Sequence, residues 1–235
     1  TPACPLPANV TLVKDFVSAV QQANGSYNVT YTVTVGNTGG TTGTYTLTDT
    51  PSFDSDIVIN SGNYSGQASG AMNTSGSTTL GTNVSIAAGA THTYTVVFNA
   101  TMNLTDAVGN NTYTACGTVP GVGQSAGQGL FNLAAIDTNN DGTADITDNA
   151  CGDLPNVTLV KDFVSAVQQA NGSYNITYTV TLGNTGGATG TYTLTDTPSF
   201  DTDIVINSGN YSGQASGAMN TSGATTLGTN VSIAV

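Results

Sequence analysis

The sequence predicts an all-β protein built as a sandwich of two antiparallel sheets. Three observations point there. Tyr27, Val29, Tyr31, Val33 and Val35 alternate without a break with Asn28, Thr30, Thr32 and Thr34, the two-residue period of a half-buried strand. Thr, a β-branched strand former, accounts for 42 of 235 residues. No segment shows the 3.6-residue apolar period of a helix.

Taken in order, Val10, Leu12 and Phe16 mark a first strand, and Tyr27–Val35 is the second. Asn37-Thr38-Gly39-Gly40 is a turn, because Asn and Gly accept the backbone angles a turn requires. Tyr45 and Leu47 open the next strand, which stops near Pro51. Further strands are predicted at Ile57–Ile59, Val84–Ile86, Tyr94–Phe98 and Tyr113–Ala115, with a last one around Phe131–Ile136. Seven or eight short strands in about 147 residues fit a sandwich of immunoglobulin-like character.

The chain repeats itself. Residues 9–86 return as 156–233, an offset of 147, with five differences in 78 positions: Val29/Ile176, Val35/Leu182, Thr41/Ala188, Ser55/Thr202 and Ser77/Ala224. The apolar swaps barely change volume, as core positions tolerate. Val235 aligns with Ala88, so the second copy has no counterpart of Tyr94–Phe98. The organisation read from this is a linker from a preceding repeat at 1–8, a full sandwich at 9–151, a linker at 152–155, and an incomplete second sandwich at 156–235. The expected partners are neighbouring repeats or further copies of the chain. The opening Thr-Pro-Ala-Cys suggests a piece of a longer polypeptide.

Composition excludes several functions. Only 7% of residues are charged, there is no Glu, Arg or Trp, and the net charge is −12. Nothing here can neutralise phosphates, so nucleic acid is not a partner. No run of about 18 apolar residues exists to insert in a membrane.

Val10-Thr11-Leu12-Val13-Lys14, Tyr31-Thr32-Val33-Thr34-Val35-Gly36-Asn37-Thr38-Gly39 and Tyr45-Thr46-Leu47-Thr48-Asp49-Thr50-Pro51 together resemble the conserved-repeat domains of prokaryotic surface proteins, known as domain of unknown function eleven. The linker Ala150-Cys151-Gly152-Asp153-Leu154-Pro155-Asn156 is similar to that family as well, and the likeness covers the chain from about residue 9 onward. The resemblance implies an Ig-like sandwich, secreted and repeated in tandem, and it implies no known chemistry.

Asp137-Thr138-Asn139-Asn140-Asp141-Gly142-Thr143-Ala144-Asp145-Ile146-Thr147-Asp148 places oxygen donors at loop positions 1, 3, 5, 9 and 12 and Gly at 6. That is the spacing of an EF-hand calcium loop, with Asp137, Asn139, Asp141, the Thr143 carbonyl, Asp145 and Asp148 as ligands. Asp rather than Glu at position 12 resembles dockerin and thrombospondin-type loops. A solvated Asn/Asp turn is the plain alternative. Calcium fits better than magnesium, which prefers fewer protein ligands.

Cys4 aligns with Cys151, so one repeat owns Cys116 and Cys151. Their disulfide would enclose the whole loop, and Cys4 would pair with a preceding repeat; three free buried thiols are the plain alternative, and zinc is disfavoured because His92 has no ligand spacing to any Cys. Fifteen of 24 Asn begin Asn-x-Ser/Thr: Asn9, Asn24, Asn28, Asn63, Asn73, Asn83, Asn99, Asn103, Asn110, Asn156, Asn171, Asn175, Asn210, Asn220 and Asn230. With 61 hydroxyl residues in 235, chance gives 24 × 61/235, near 6. The excess points to N-glycans on a secreted, cell-surface protein, the plain alternative being that Thr alternation in strands generates sequons wherever Asn sits.

Lys14 and Lys161 are the only cations and occupy equivalent places. One reading is an isopeptide bond to a nearby Asn, catalysed by a buried acid; the other is a Lys paired with an Asp and snorkelling at the sheet edge, with Asp15, Asp49, Asp54 or Asp56 as the partner. The second is favoured, because no motif marks an acceptor Asn. Asp49, Asp54 and Asp56 are read as a solvated loop, since they lack a metal site's spacing. No nucleophile elbow, phosphate loop or His–nucleophile pair is present, so no enzyme is expected. The expected function is a structural subunit of an extracellular filament, stalk or sheath. The alternative is an adhesin that recognises a glycan or another cell.

Overall fold

A computed structural model describes residues 6–103, 116 and 126–235. Cys4, Asn110 and the strand expected at Tyr113–Ala115 lie outside the described residues. Among the described residues the protein is all-β and antiparallel, with no helix to cross a membrane. It divides into two compact units, 1–154 and 155–235.

Unit 1 contains β1 (Val10–Gln21), β2 (Tyr27–Asn37), β3 (Gly43–Pro51), β4 (Ile57–Gly66), β5 (Gly70–Ala71), β6 (Thr78–Ile86), β7 (Thr91–Met102), β8 (Asn132–Asp137) and β9 (Ile146–Ala150). One sheet runs β1-β2-β7-β4-β5 and the other β6-β3-β8-β9. The alternation seen in the sequence decides the faces. Tyr27, Val29, Tyr31, Val33 and Val35 on β2 meet Tyr94, Val96, Phe98 and Ala100 on β7 within one core, to which Tyr45, Leu47, Ala134 and Ile136 of the other sheet belong. Phe98 stacks edge-on against Tyr31 and Phe53, with centroids 6.4 and 5.5 Å apart.

Several elements differ from the expectation. β4 runs on to Gly66 rather than Ile59, β7 spans Thr91–Met102 rather than Tyr94–Phe98, and the two-residue β5 has no counterpart among the expected strands. β1 extends to Gln21 through a bulge between Phe16 and Ser18, which lets the strand follow β2 along its whole length. β6 begins at Thr78 rather than near Val84. β9 was not expected at all. Its sequence, Ile-Thr-Asp-Asn-Ala, is too polar for a periodicity reading, and it forms because β8 offers a free edge directly across the 137–148 loop.

Unit 2 contains β10 (Val157–Gln168), β11 (Tyr174–Asn184), β12 (Gly190–Asp196), β13 (Gly209–Tyr211), β14 (Gly217–Met219) and β15 (Thr225–Ile233). They pair as the two-stranded sheets β10-β11, β12-β15 and β13-β14. The β10–β11 register and its bulge between Phe163 and Ser165 match those of β1–β2 residue for residue. The burial does not match. Tyr27 is 5% and Tyr31 0% exposed, whereas Tyr174 and Tyr178 are 57% and 42% exposed.

Candidate functional site

The loop of unit 1 connects β8 to β9. The β hairpin fixes its ends, because Ile136 pairs with Ile146. Within it the acidic side chains turn inward onto backbone N–H groups. Asp137 Oδ1 accepts from Asn139 N (3.1 Å) and Asn140 N (2.6 Å), and its Oδ2 accepts from Gly142 N at 2.8 Å. Asn139 Oδ1 accepts from Asp141 N (2.9 Å), and Asp141 Oδ1 accepts from Thr143 N (2.8 Å). Asp145 Oδ2 accepts from both the backbone N and the hydroxyl of Thr138, each at 2.7 Å. These bonds hold the Asp145 carboxyl below its ordinary range, the hydroxyl bond contributing most. Gly142 takes φ +85°, where a side chain would be strained, which accounts for Gly at that position.

Asp148 stands apart from these residues. It lies on β9, and its Oδ2 accepts from the backbone N of Lys14 at 2.8 Å, so it ties the edge of one sheet to the edge of the other. The sequence-derived ligand set therefore divides. Asp137, Asn139, Asp141, Thr143 and Asp145 share one loop, and Asp148 is engaged elsewhere. Among the described residues no three His, Cys or Asp side chains gather as a ready metal cage.

Cys116 and Cys151 form a disulfide, with Cα atoms 5.6 Å apart and a sequence separation of 35. The Cys116 N–H donates to Asp153 Oδ1 at 2.8 Å. Burial raises the Asp153 carboxyl, and that hydrogen bond opposes the shift. Gly129 lies so close that a Cβ there would meet the Cys116 sulfur at 2.5 Å. The described sequon asparagines are all exposed or half-buried. Asn9, Asn73, Asn99, Asn156 and Asn220 already donate through their amide nitrogens.

Two sequence expectations are overturned. Lys14 pairs with Asp49, one of the expected acids, but it does not snorkel at an edge. Its side chain and that of Asp49 are both 0% exposed and form an ion pair in the core. Asp49, Asp54 and Asp56 are not a solvated loop, for all three are buried. Asp54 accepts the Asp56 N–H at 2.9 Å and so shapes the turn before β4. The missed signal was strand parity. Lys14 stands two residues from Leu12 and from Phe16, and Asp49 two from Leu47, so both take inward positions. The Lys14 Nζ also sits 5.0 Å from the Tyr31 ring centroid. Burial lowers the Lys14 ammonium's pKa, opposed by the Asp49 and Asp148 carboxylates.

His92 Nδ1 lies 2.8 Å from the Tyr45 hydroxyl, which is 2.9 Å from the Tyr94 hydroxyl. Burial raises both tyrosines, so neither is poised to lose a proton. Compared with protein-family models, curated proteins and solved structures, the chain matches none.

Proposed function

We propose that the protein is a structural subunit of an extracellular filament, stalk or sheath, assembled from tandem Ig-like sandwiches of the conserved-repeat kind. The observation that carries this is the near-identity of the copies: 78 − 5 = 73 of 78 positions are the same, surface positions included. A recognition module needs one distinctive tip, whereas a filament needs the same unit many times. The Cys116–Cys151 disulfide supports an oxidising, extracellular setting. The dense, accessible sequons support a glycosylated surface.

Calcium belongs to the same reading. Asp137, Asn139, Asp141, the Thr143 carbonyl and Asp145 would hold it, and it would neutralise the three carboxylates of one short loop. Asp148 is left out of this set because its carboxylate holds Lys14. Negative-stain electron microscopy of the native material tests the reading. Thin filaments with a regular axial repeat are expected. Compact monomers would overturn it and leave the adhesin alternative.

A further inference from the structure

We propose that Lys14 and Asp49 condense into an intramolecular isopeptide bond, Lys14 Nζ to Asp49 Cγ, which joins β1 of one sheet to β3 of the other. The chain has two cations in 235 residues, and one of them is sealed in the core against a carboxylate. The Asp49 Oδ2 takes the Lys14 contact, and Oδ1 has no hydrogen-bond partner among the described residues. A buried ion pair with half its carboxylate unsatisfied is a costly way to fill a core. It is also a reactive one. Tyr31 lies over the amine, and Asp148 holds the Lys14 backbone in place.

The step needs no co-reactant. The ammonium proton passes to the carboxylate oxygen it touches, which a low-dielectric interior favours because two charges vanish. The neutral amine attacks Cγ. The tetrahedral adduct then collapses to an amide, and one carboxyl oxygen leaves as water with its proton and one from the amine. Burial already displaces Lys14 toward the neutral, nucleophilic form.

The second copy supplies an internal control. Lys161 Nζ meets Asp196 Oδ2 at 2.6 Å and lies 5.0 Å from the Tyr178 ring centroid, so the same three residues are assembled. There the side chains are 41% and 13% exposed. In this 235-residue chain water reaches that pair, and no bond is expected there. The bond would also change how unit 1 carries load. Both it and the disulfide close loops of separation 35, and each removes roughly 120 Å of extensible chain.

The test uses the full chain made in a host without N-glycosylation, then denatured and reduced. The expected mass is one water below that of the sequence. Trypsin is expected to cut after Lys161 and not after Lys14, although both lie in Thr-Leu-Val-Lys-Asp-Phe. Lys14→Met and Asp49→Ala should each restore the sequence mass. The full sequence mass with cutting at both lysines overturns the proposal. So does loss of water with Lys14 still cleavable, which would place a cyclic imide at Asp141-Gly142. Loss of ammonia would place the bond at Asn132, a buried neighbour on β8 whose side-chain atoms lack partners among the described residues, and would overturn the assignment to Asp49.

Discussion

Lys14 and Lys161 occupy the same place in two copies of one strand, and their surroundings give them different energetics. Lys14 and Asp49 are dehydrated together, so removing the acid strands a charge in the core. Asp49→Ala removes the proposed Lys14 cross-link as well as stranding the ammonium, so it should destabilise unit 1 by at least about 3–5 kcal/mol. Asp196→Ala should cost less than about 1 kcal/mol, because water screens that pair. Urea denaturation of the two variants, followed by Tyr fluorescence and hydrogen exchange in each unit, measures the contrast. Equal effects would contradict it. Asp153 gives a second residue-scale expectation. Its folded-state pKa is raised, chiefly by burial, so the folded chain keeps this proton to higher pH than the unfolded chain does. The contribution to stability is therefore present below the ordinary carboxylate value and is lost as pH rises from there through the raised folded-state value. Asp153→Asn keeps an oxygen for the Cys116 N–H and should flatten that fall. Melting temperatures of both proteins across the acidic range would show it, and parallel curves would refute it.

At the scale of elements, β2 and β11 show how far a strand depends on its neighbours. Their sequences differ at Val29/Ile176 and Val35/Leu182 alone. β2 lies between β1 and β7, while β11 pairs with β10. In unit 1, β7 contributes Tyr94, Val96, Phe98 and Ala100, each 0% exposed. Appending a copy of residues 89–151 after Val235 should therefore complete unit 2. Amide exchange along Tyr174–Asn184 is expected to slow to the rate of Tyr27–Asn37, read by hydrogen-exchange mass spectrometry. Exchange that stays fast would show that β7–β9 are not the cover this hairpin requires. The inward alternation of β2 was legible from the sequence, because period two needs only the strand itself. β9 was not legible, since its formation depends on the edge that β8 presents.

Over the whole molecule, two features of unit 1 bear on its endurance. The disulfide closes a loop of separation 35, and Cys151→Ser should cost roughly 3–4 kcal/mol by loop-closure entropy. Thermal unfolding of the variant beside the parent measures this, and an unchanged midpoint would refute it. Calcium at ten times its dissociation constant should add about 1.4 kcal/mol to unit 1. Excess chelator should then speed protease cutting between 137 and 148 while the β2 amides stay protected. Cutting that ignores both calcium and chelator would remove the ion from the proposed function.

Several properties were legible in the sequence alone: the all-β class, the 147-residue repeat and the grouping of Asp137, Asn139, Asp141 and Asp145 in one loop, while the expected pairing of Cys116 with Cys151 is met in the structure. Each follows from local period, internal identity or short spacing, which a linear chain carries in full. The place of Lys14, Asp49 and Asp148 was decided by tertiary structure. A charge next to Thr and Val reads as surface until the packing of two sheets shows that its side of the strand faces inward. Lys14 and Asp49 are 35 residues apart, and Lys14 and Asp148 are 134 apart. Contacts over such separations arise from which sheet edges meet, and the burial they impose turns an ordinary ion pair into a reactive one.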